Sequence, residues 1–500
     1  MKKIKYILLL NVVISSLISC DRELDTAPTD SATEKEVFST LETTESLING
    51  TWAKFNEEAS TYANIGYSTV LRTSDAMGSD VVVNTARYGF GSAYAFAEMS
   101  HKTQTRVDFI WSLLYSTINN MNTLLSHIDQ IEGPKAKKDQ VKGQAKAFRA
   151  FCYLNLVSFY QFSYLKDKKA LVVPIYTEQS IIHTVPIKKS SLEEVYNQIK
   201  SDLLDAQRLL KNYERNNKEK INLSVVNGLL ARTYLNTGEW LKAAASAQAA
   251  RVGYALMTAE KYLAGFNDIS NEEWIWGHGQ IQQQSSESYA FHYLDVSTSG
   301  SYYRSFMADP YFKDLFDDKD IRNKLFEWDH LRGSEGMLRY KKFRFKPGLI
   351  ADIVYMRSAE MYLIEAEANA RAGNLAKAVS LLNELKSARK ANVYKEGLGS
   401  DAVIKEILIE RRKELFGEGF SLSDIIRTQG SVKRKPYVDN AGKPIKIDIK
   451  FLEGGKEKIL KVNAKGHSIF TFPDKTDFVP NSRYYLFSIP QDEADNNTNL

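Results

Sequence analysis

Apolar positions recur at helical spacing through most of the chain. Ile110, Leu113, Leu114, Ile118, Met121, Leu124, Leu125 and Ile128 predict a helix over 109–131, stopped by Gly133-Pro134. Ala147, Phe148, Phe151, Leu154, Val157 and Phe159 predict another over 140–162, and Leu47, Ile48, Thr51, Trp52 and Phe55 one over 44–56. Ser191-Leu-Glu-Glu194 has the form of a capping box and opens a helix that runs to about Leu210. Residues 224–251 and 353–388 each read as two helices joined by a tight turn. In the later pair Tyr355, Ala359, Tyr362, Ala366 and Ala370 mark one face of the first helix. Gly373-Asn374 ends it, because glycine takes the left-handed position past a C-terminus without a Cβ clash. Leu375, Val379, Leu382 and Lys386 mark the second helix, and Ser400 is a candidate N-cap for a third that carries Val403, Ile407 and Leu415.

The two pairs share one geometry. Ala231, Gly238 and Ala243 stand at offsets of seven and five, and so do Ala366, Gly373 and Ala378. Distant hairpins of one shape predict a helical-repeat scaffold with insertions, although the period of about 34 residues of a plain array is missing. Strand signals are few. Ile445, Ile447, Ile449 and Phe451 alternate with charged residues, Gly454-Gly455 turns the chain and Ile459–Val462 returns, which predicts a β hairpin over about 443–463. Glu273-Trp-Ile-Trp276 alternates like a short strand, so Trp274 and Trp276 are assigned to the core. Two stretches, about 75–105 and 277–310, lack periodicity and are rich in Gly, Ser, Tyr and Phe. Long loops in compact domains usually carry function.

Composition adds limits. With 43% hydrophobic and 25% charged residues, the 500-residue chain has the balance of a folded globular protein. The 27 Tyr outnumber the 24 Phe, which suits half-exposed rings with wet hydroxyls. Lys2, Lys3 and Lys5 precede the apolar run Tyr6–Ile18, a secretory-signal pattern too short to span a membrane. Removing those three lysines from the net charge of +5 leaves +2, so there is no electrostatic case for nucleic acid. Leu17-Ile-Ser-Cys20 resembles the lipobox of bacterial lipoproteins, which implies lipidation at Cys20 and a polar tether over 20–35. Several acyl chains anchor firmly where one is marginal. The other cysteine, Cys152, lies in an apolar helical run and reads as a buried thiol.

Three blocks then carry a resemblance: R-x-A-E-x-Y-L-x-x-A-E-A from Arg357, I-x-x-E-R-R-x-E-L-x-x-E-G-F through Glu410, Arg411, Glu414 and Gly419, and D-x-I-R at Asp424 and Arg427. Gly143, Ala145, Arg149, Ala150, Phe151, Tyr153 and Leu156, the Asp320-x-Arg322 pair, and Ile489, Pro490, Glu493 and Asn497 extend it. Together they resemble the SusD/RagB family of nutrient-binding outer-membrane lipoproteins. The resemblance implies a mainly α fold, a SusD-like tetratricopeptide-type helical-repeat scaffold with long irregular loops and a small β hairpin. It divides the chain into a signal peptide (1–19), a lipidated tether (20–35) and one domain (36–500). A buried charge needs a partner, so Arg357, Glu360, Glu365, Glu367, Glu410, Arg411, Glu414, Asp424 and Arg427 are read as ion pairs between helices.

The chemistry-bearing motifs are missing. The seven histidines form no metal pair at helical spacing, and there is no H-E-x-x-H, C-x-x-C or P-loop. No carboxylate pair is singled out for glycoside hydrolysis. The sequence therefore reads as non-catalytic, with no cofactor and no metal. Sugars offer apolar CH faces to rings and hydroxyls to amides and carboxylates. Two segments supply rings: 88–96, with Tyr88, Phe90 and Tyr94, and 289–303, with Tyr289, Phe291, Tyr293, Tyr302 and Tyr303. In SusD-like proteins the corresponding loops carry ligand-contacting aromatics. The expectation is capture of an oligosaccharide or polysaccharide at the outer face of the outer membrane and delivery to a SusC-like TonB-dependent transporter. Peptide or glycoprotein cargo, as in RagB-like members, and a repeat-type interaction module without a small ligand are the alternatives.

Overall fold

The computed structural model describes residues 34–181, 183–281, 286–297, 300–395 and 399–500. Cys20, the signal segment and most of the tether lie outside the described residues. Among the described residues nine helices of eleven or more residues form the frame: α1 Leu41–Glu57, α2 Thr105–His127, α3 Lys135–Phe159, α4 Leu192–Leu209, α5 Leu223–Thr237, α6 Trp240–Ala250, α7 Ser358–Arg371, α8 Leu375–Ala388 and α9 Ser400–Glu414. Each packs on the next, so the frame is a stack of αα-hairpins. The stack continues from α6 to α7 even though about a hundred residues of other structure are inserted between them. Both facing helices are alanine-rich at the buried side, with Ala243, Ala247 and Ala250 on α6 and Ala366, Ala368 and Ala370 on α7. Among the described residues no helix is long and apolar enough to cross a membrane.

The local signals work as their chemistry predicts. Ser191 Oγ accepts from Glu194 N at 3.2 Å and Glu194 Oε2 accepts from Ser191 N at 2.7 Å, the capping box of α4. Gly238 and Gly373 end their helices at φ 77° and 87°. Two strands, β7 Lys446–Glu453 and β8 Lys456–Asn463, form the hairpin, and Gly454 and Gly455 take the two left-handed turn positions. Cys152 is buried, and burial pushes its thiol well above the usual range.

Three expectations are corrected. Ile353–Arg357 is not the first turn of α7 but a strand, β6, paired antiparallel with β2, Trp274–His278. The run Ile-Val-Tyr is β-branched and aromatic, and all five residues are buried between layers, so pairing overrides the helical spacing. Tyr355 therefore packs against Trp52, Tyr67 and Trp276 rather than lining the helix face. Ser400 is not the cap of α9; Gly399 holds that position, and Ser400 Oγ donates to the Ala370 carbonyl. The stretches 75–105 and 277–310 are not wholly irregular. They contain β1, Val81–Val83, and β3, Phe306–Ala308, with short helices at Gly91–Tyr94 and Ser286–Phe291. With β4, Phe326–Trp328, and β5, Leu338–Tyr340, these strands form a four-stranded sheet in the order β1-β3-β5-β4.

The charged signature residues form a buried lattice between the insertion and the frame. Arg322, Lys342, Arg357, Arg389 and Lys413 are the cations; Glu273, Asp320, Glu410, Glu414 and Glu418 are the carboxylates. Arg357 reaches Glu273, Glu414 and Glu418, and Arg322 reaches Asp320, Glu410 and Glu414. Glu414 accepts from three arginines, Arg322, Arg357 and Arg389, each at 2.7 Å. Burial alone would raise its carboxyl, but the guanidiniums of Arg389, Arg357 and Arg322 outweigh that and hold it well below the ordinary range. Nearby, Arg427 grips both oxygens of Glu367 and also pairs with Asp424, which Arg411 shares.

Candidate functional site

The β1–β3 ladder puts the two ring-bearing segments side by side. Val81 pairs with Ala308 and Val83 with Phe306, so the chain leaving β1 toward Tyr88 runs beside the chain entering β3 from Tyr302-Tyr303. The result is a surface of five tyrosines, Tyr62, Tyr88, Tyr289, Tyr302 and Tyr303. Tyr62, Tyr88 and Tyr302 are more than half exposed, at 59%, 52% and 61%. Tyr62 lies 5.0 Å from Tyr289 between ring centroids, Tyr289 lies 6.3 Å from Tyr302, and Tyr88 lies 5.8 Å from Tyr303.

A second layer of rings supports this surface. Tyr303 stacks on buried Tyr293 at 4.4 Å and 10°. Phe90 meets Tyr293 edge-on and packs against Phe306. Gly89 sits at φ 127°, and a Cβ there would lie 2.4 Å from the Tyr293 ring, so only glycine allows this approach. Arg106, at the start of α2, ties the loops together. Its guanidinium donates to Asn64 Oδ1, Glu98 Oε2 and the Gly89 carbonyl, and lies over the Phe90 ring at 4.2 Å.

Tyr302 and Tyr303 are held from behind. His292 Nδ1 accepts from Tyr302 N at 3.1 Å, which requires the neutral ring, and burial pushes the imidazole down to about 4. Arg304 takes φ 42°, a conformation rare outside glycine. Its N–H donates to the His292 carbonyl, and its guanidinium reaches buried Asp329 at 2.8 Å.

The eight rings named from the sequence divide evenly. Tyr88, Tyr289, Tyr302 and Tyr303 reach the surface. Phe90, Tyr94, Phe291 and Tyr293 are buried, so contact with a ligand gives way to packing for these four. Tyr94 bonds His467 Nδ1, and Phe291 packs on Phe343 and Phe345. Sequence reasoning missed Tyr62, whose signal is only a tyrosine in a short polar stretch after α1. It also missed Arg106, which looks like any polar residue at a helix start.

Where β3 ends, Asp309 stands beside Asp80. Burial first, and then the Asp80 charge, push its carboxyl up to about 7. An acid raised above its unfolded value stabilises the fold at low pH, and that contribution is lost as pH rises through about 7. Asp309→Asn removes the ionisation. It is expected to gain on the parent as pH rises from about 4 to about 7, so that its advantage in thermal unfolding is larger at pH 8 than at pH 5 by about 2–3 kcal/mol. An equal difference at both pH values would refute this account.

The frame of helical hairpins and the inserted sheet define a helical-repeat protein that exposes an aromatic surface. The comparisons with known proteins state which one. Residues 24–235 match a SusD-like family described as starch-binding associating with outer membrane, and residues 347–500 match the SusD family. A SusD-like carbohydrate binding protein from Bacteroides vulgatus is 42% identical, with a TM-score of 0.87, over 92% of this chain and 97% of that one. A SusD superfamily protein from Bacteroides thetaiotaomicron, 23% identical with a TM-score of 0.73, shares the fold over 92% of this chain and 98% of that one. SusD-like protein P38 from Formosa agariphila is 33% identical over 104 residues, which is 19% of this chain and 21% of that protein's length. The chain belongs to the SusD family.

Proposed function

We propose that the protein is a non-catalytic carbohydrate-binding protein that captures an oligosaccharide or polysaccharide on the five-tyrosine surface. The observation that carries the reading is the convergence of separate segments on one exposed face of rings. Buried apolar residues seldom need explanation, but a contiguous patch of exposed aromatics marks an interaction site. The description of the 42% identical relative as carbohydrate binding supports glycan as the ligand. Family membership and the lipobox-like Leu17–Cys20 support placement at the outer membrane, with the glycan passed to a SusC-like TonB-dependent transporter. One hydrophobic cluster includes residues from Leu41 to Phe487, which supports treating residues 36–500 as a single domain.

Affinity electrophoresis of residues 21–500 through gels containing different polysaccharides tests the reading. Retardation by one of them is expected. Saturable binding to peptides, with none to glycans, would move the cargo to protein. Release of a shortened product by the purified protein would overturn the non-catalytic assignment. The anchor is tested separately. Cys20→Ala is expected to move the protein from the membrane to the soluble fraction in cells lacking the transporter, as read by fractionation and immunoblotting.

A further inference from the structure

We propose a second carbohydrate site, for a short neutral sugar, in a cleft of about 660 Å3 on the side of α1. Its volume falls in the range of small-molecule sites. It shares no residue with the tyrosine surface; Glu57, near the end of α1, lines the cleft, and Tyr62 beyond it belongs to the surface.

The floor is apolar. Phe148 and Ile221 are buried there, and half-buried Trp52, packed against Phe148, Trp276 and His278, lines the same space. Above that floor stand polar groups. Gln144 is only 3% exposed and lines the cleft. Glu57 Oε1 is buried without a hydrogen-bond partner among the described residues, with His278 Nε2 at 3.9 Å. Buried polar atoms are normally paired, and an unpaired one costs about 1–3 kcal/mol. Asn49 adds an exposed amide at the rim.

The charges decide the class of ligand. Glu219 is engaged by His278 at 2.8 Å and by the Gly279 N–H at 2.9 Å. Asp352 is engaged by Lys346 at 2.8 Å and by two backbone N–H groups. Lys220 is taken by Glu45. Among the described residues lining the cleft no lysine is left over, while Glu57 and Asp268 face the same space. A uronic acid or sulfated sugar would meet carboxylates without a cation to receive it. A neutral pyranose fits: its CH face lies on Trp52, and its hydroxyls, each both donor and acceptor, pair with the Gln144 amide and the Glu57 carboxylate.

The test is calorimetric titration of residues 21–500 with glucose, galactose, mannose, xylose, cellobiose and maltotriose, with glucuronic acid as the anionic comparison. It is run on the parent chain, on the Tyr302→Ala/Tyr303→Ala double variant, on Gln144→Leu and on Glu57→Gln. The expected result is saturable binding of at least one neutral probe that survives in the tyrosine variant. That binding weakens at least tenfold in both Gln144→Leu and Glu57→Gln, with unchanged circular dichroism. If Gln144→Leu does not fold, Glu57→Gln and Asn49→Ala carry the same expectation. No saturable binding by any neutral probe overturns the proposal. So does tighter binding of glucuronic acid, or binding that disappears with the tyrosines and ignores Gln144 and Glu57. Because the Tyr302→Ala/Tyr303→Ala variant disables only the tyrosine surface, and Gln144→Leu and Glu57→Gln only the cleft, either site can fail without the other.

Discussion

Glu414→Gln is expected to be the most damaging conservative substitution in the chain. Its carboxylate receives hydrogen bonds from Arg322, Arg357 and Arg389, and all four side chains are fully buried. Glutamine keeps the shape but removes the charge that compensates three guanidiniums, and an amide nitrogen then points at a donor. Breaking a buried pair by removing one partner costs about 3–5 kcal/mol. A whole domain is stable by about 5–15 kcal/mol, so a large share of the stability is at stake. Urea unfolding followed by circular dichroism checks this. Glu457→Gln is the comparison, since Glu457 is exposed on the β hairpin and its distant pairing with Lys450 contributes little. A loss below about 1 kcal/mol for Glu414→Gln would show that water or rearrangement relieves the lattice. The sign in acid follows from the same geometry. Glu367, fully buried, is raised by that burial but held down to about 2 by Arg427, Arg371 and Arg411, and Glu414 is depressed likewise. Their contribution is complete above the unfolded carboxylate range and is lost as pH falls through the folded values.

The tyrosine surface sets the second large effect. Tyr302→Ala and Tyr88→Ala remove exposed rings that support no core, so each is expected to leave thermal stability within about 0.5 kcal/mol of the parent. Each is expected to weaken polysaccharide binding by about 1–2 kcal/mol, roughly five- to thirtyfold, as truncation of an aromatic anchor does. The Tyr302→Ala/Tyr303→Ala double variant is expected to lose more than about a hundredfold, because Tyr303 also carries the stacking on Tyr293. Retardation in affinity gels, with melting curves on the same samples, separates the two quantities. Full binding by the double variant would remove the ligand from this face.

The two effects are of different kinds, and residue type alone distinguishes them poorly. Arg357 and Glu414 look like charged surface and are interior. Tyr293 and Tyr302 stand nine positions apart in sequence, and one is core while the other is 61% exposed. The difference lies in what each meets: Tyr293 slides over Gly89, where no Cβ blocks it, while Tyr302 turns outward on the His292 nitrogen.

What the sequence determined by itself was set by short-range chemistry. Helical spacing, the Ser191–Glu194 box, the glycine stops at Gly238 and Gly373 and the Gly454-Gly455 turn each act within a few residues, so helices, hairpins and the repeat-like frame were legible. The need of buried charges for partners foretold the ion pairs, though not which arginine meets which carboxylate. Only the tertiary structure decided the rest. The four-stranded sheet is made of three-residue strands far apart in sequence, too short to show alternation, and it exists because β1 and β3 pair across more than two hundred residues. Pairing with Trp274–His278 turned Ile353–Arg357 from apparent helix into strand, and packing between distant segments brought Tyr62 to Tyr289 and buried four of the eight rings the sequence offered. Burial depends on which surfaces meet, and the meeting of distant segments leaves no periodic trace in the chain.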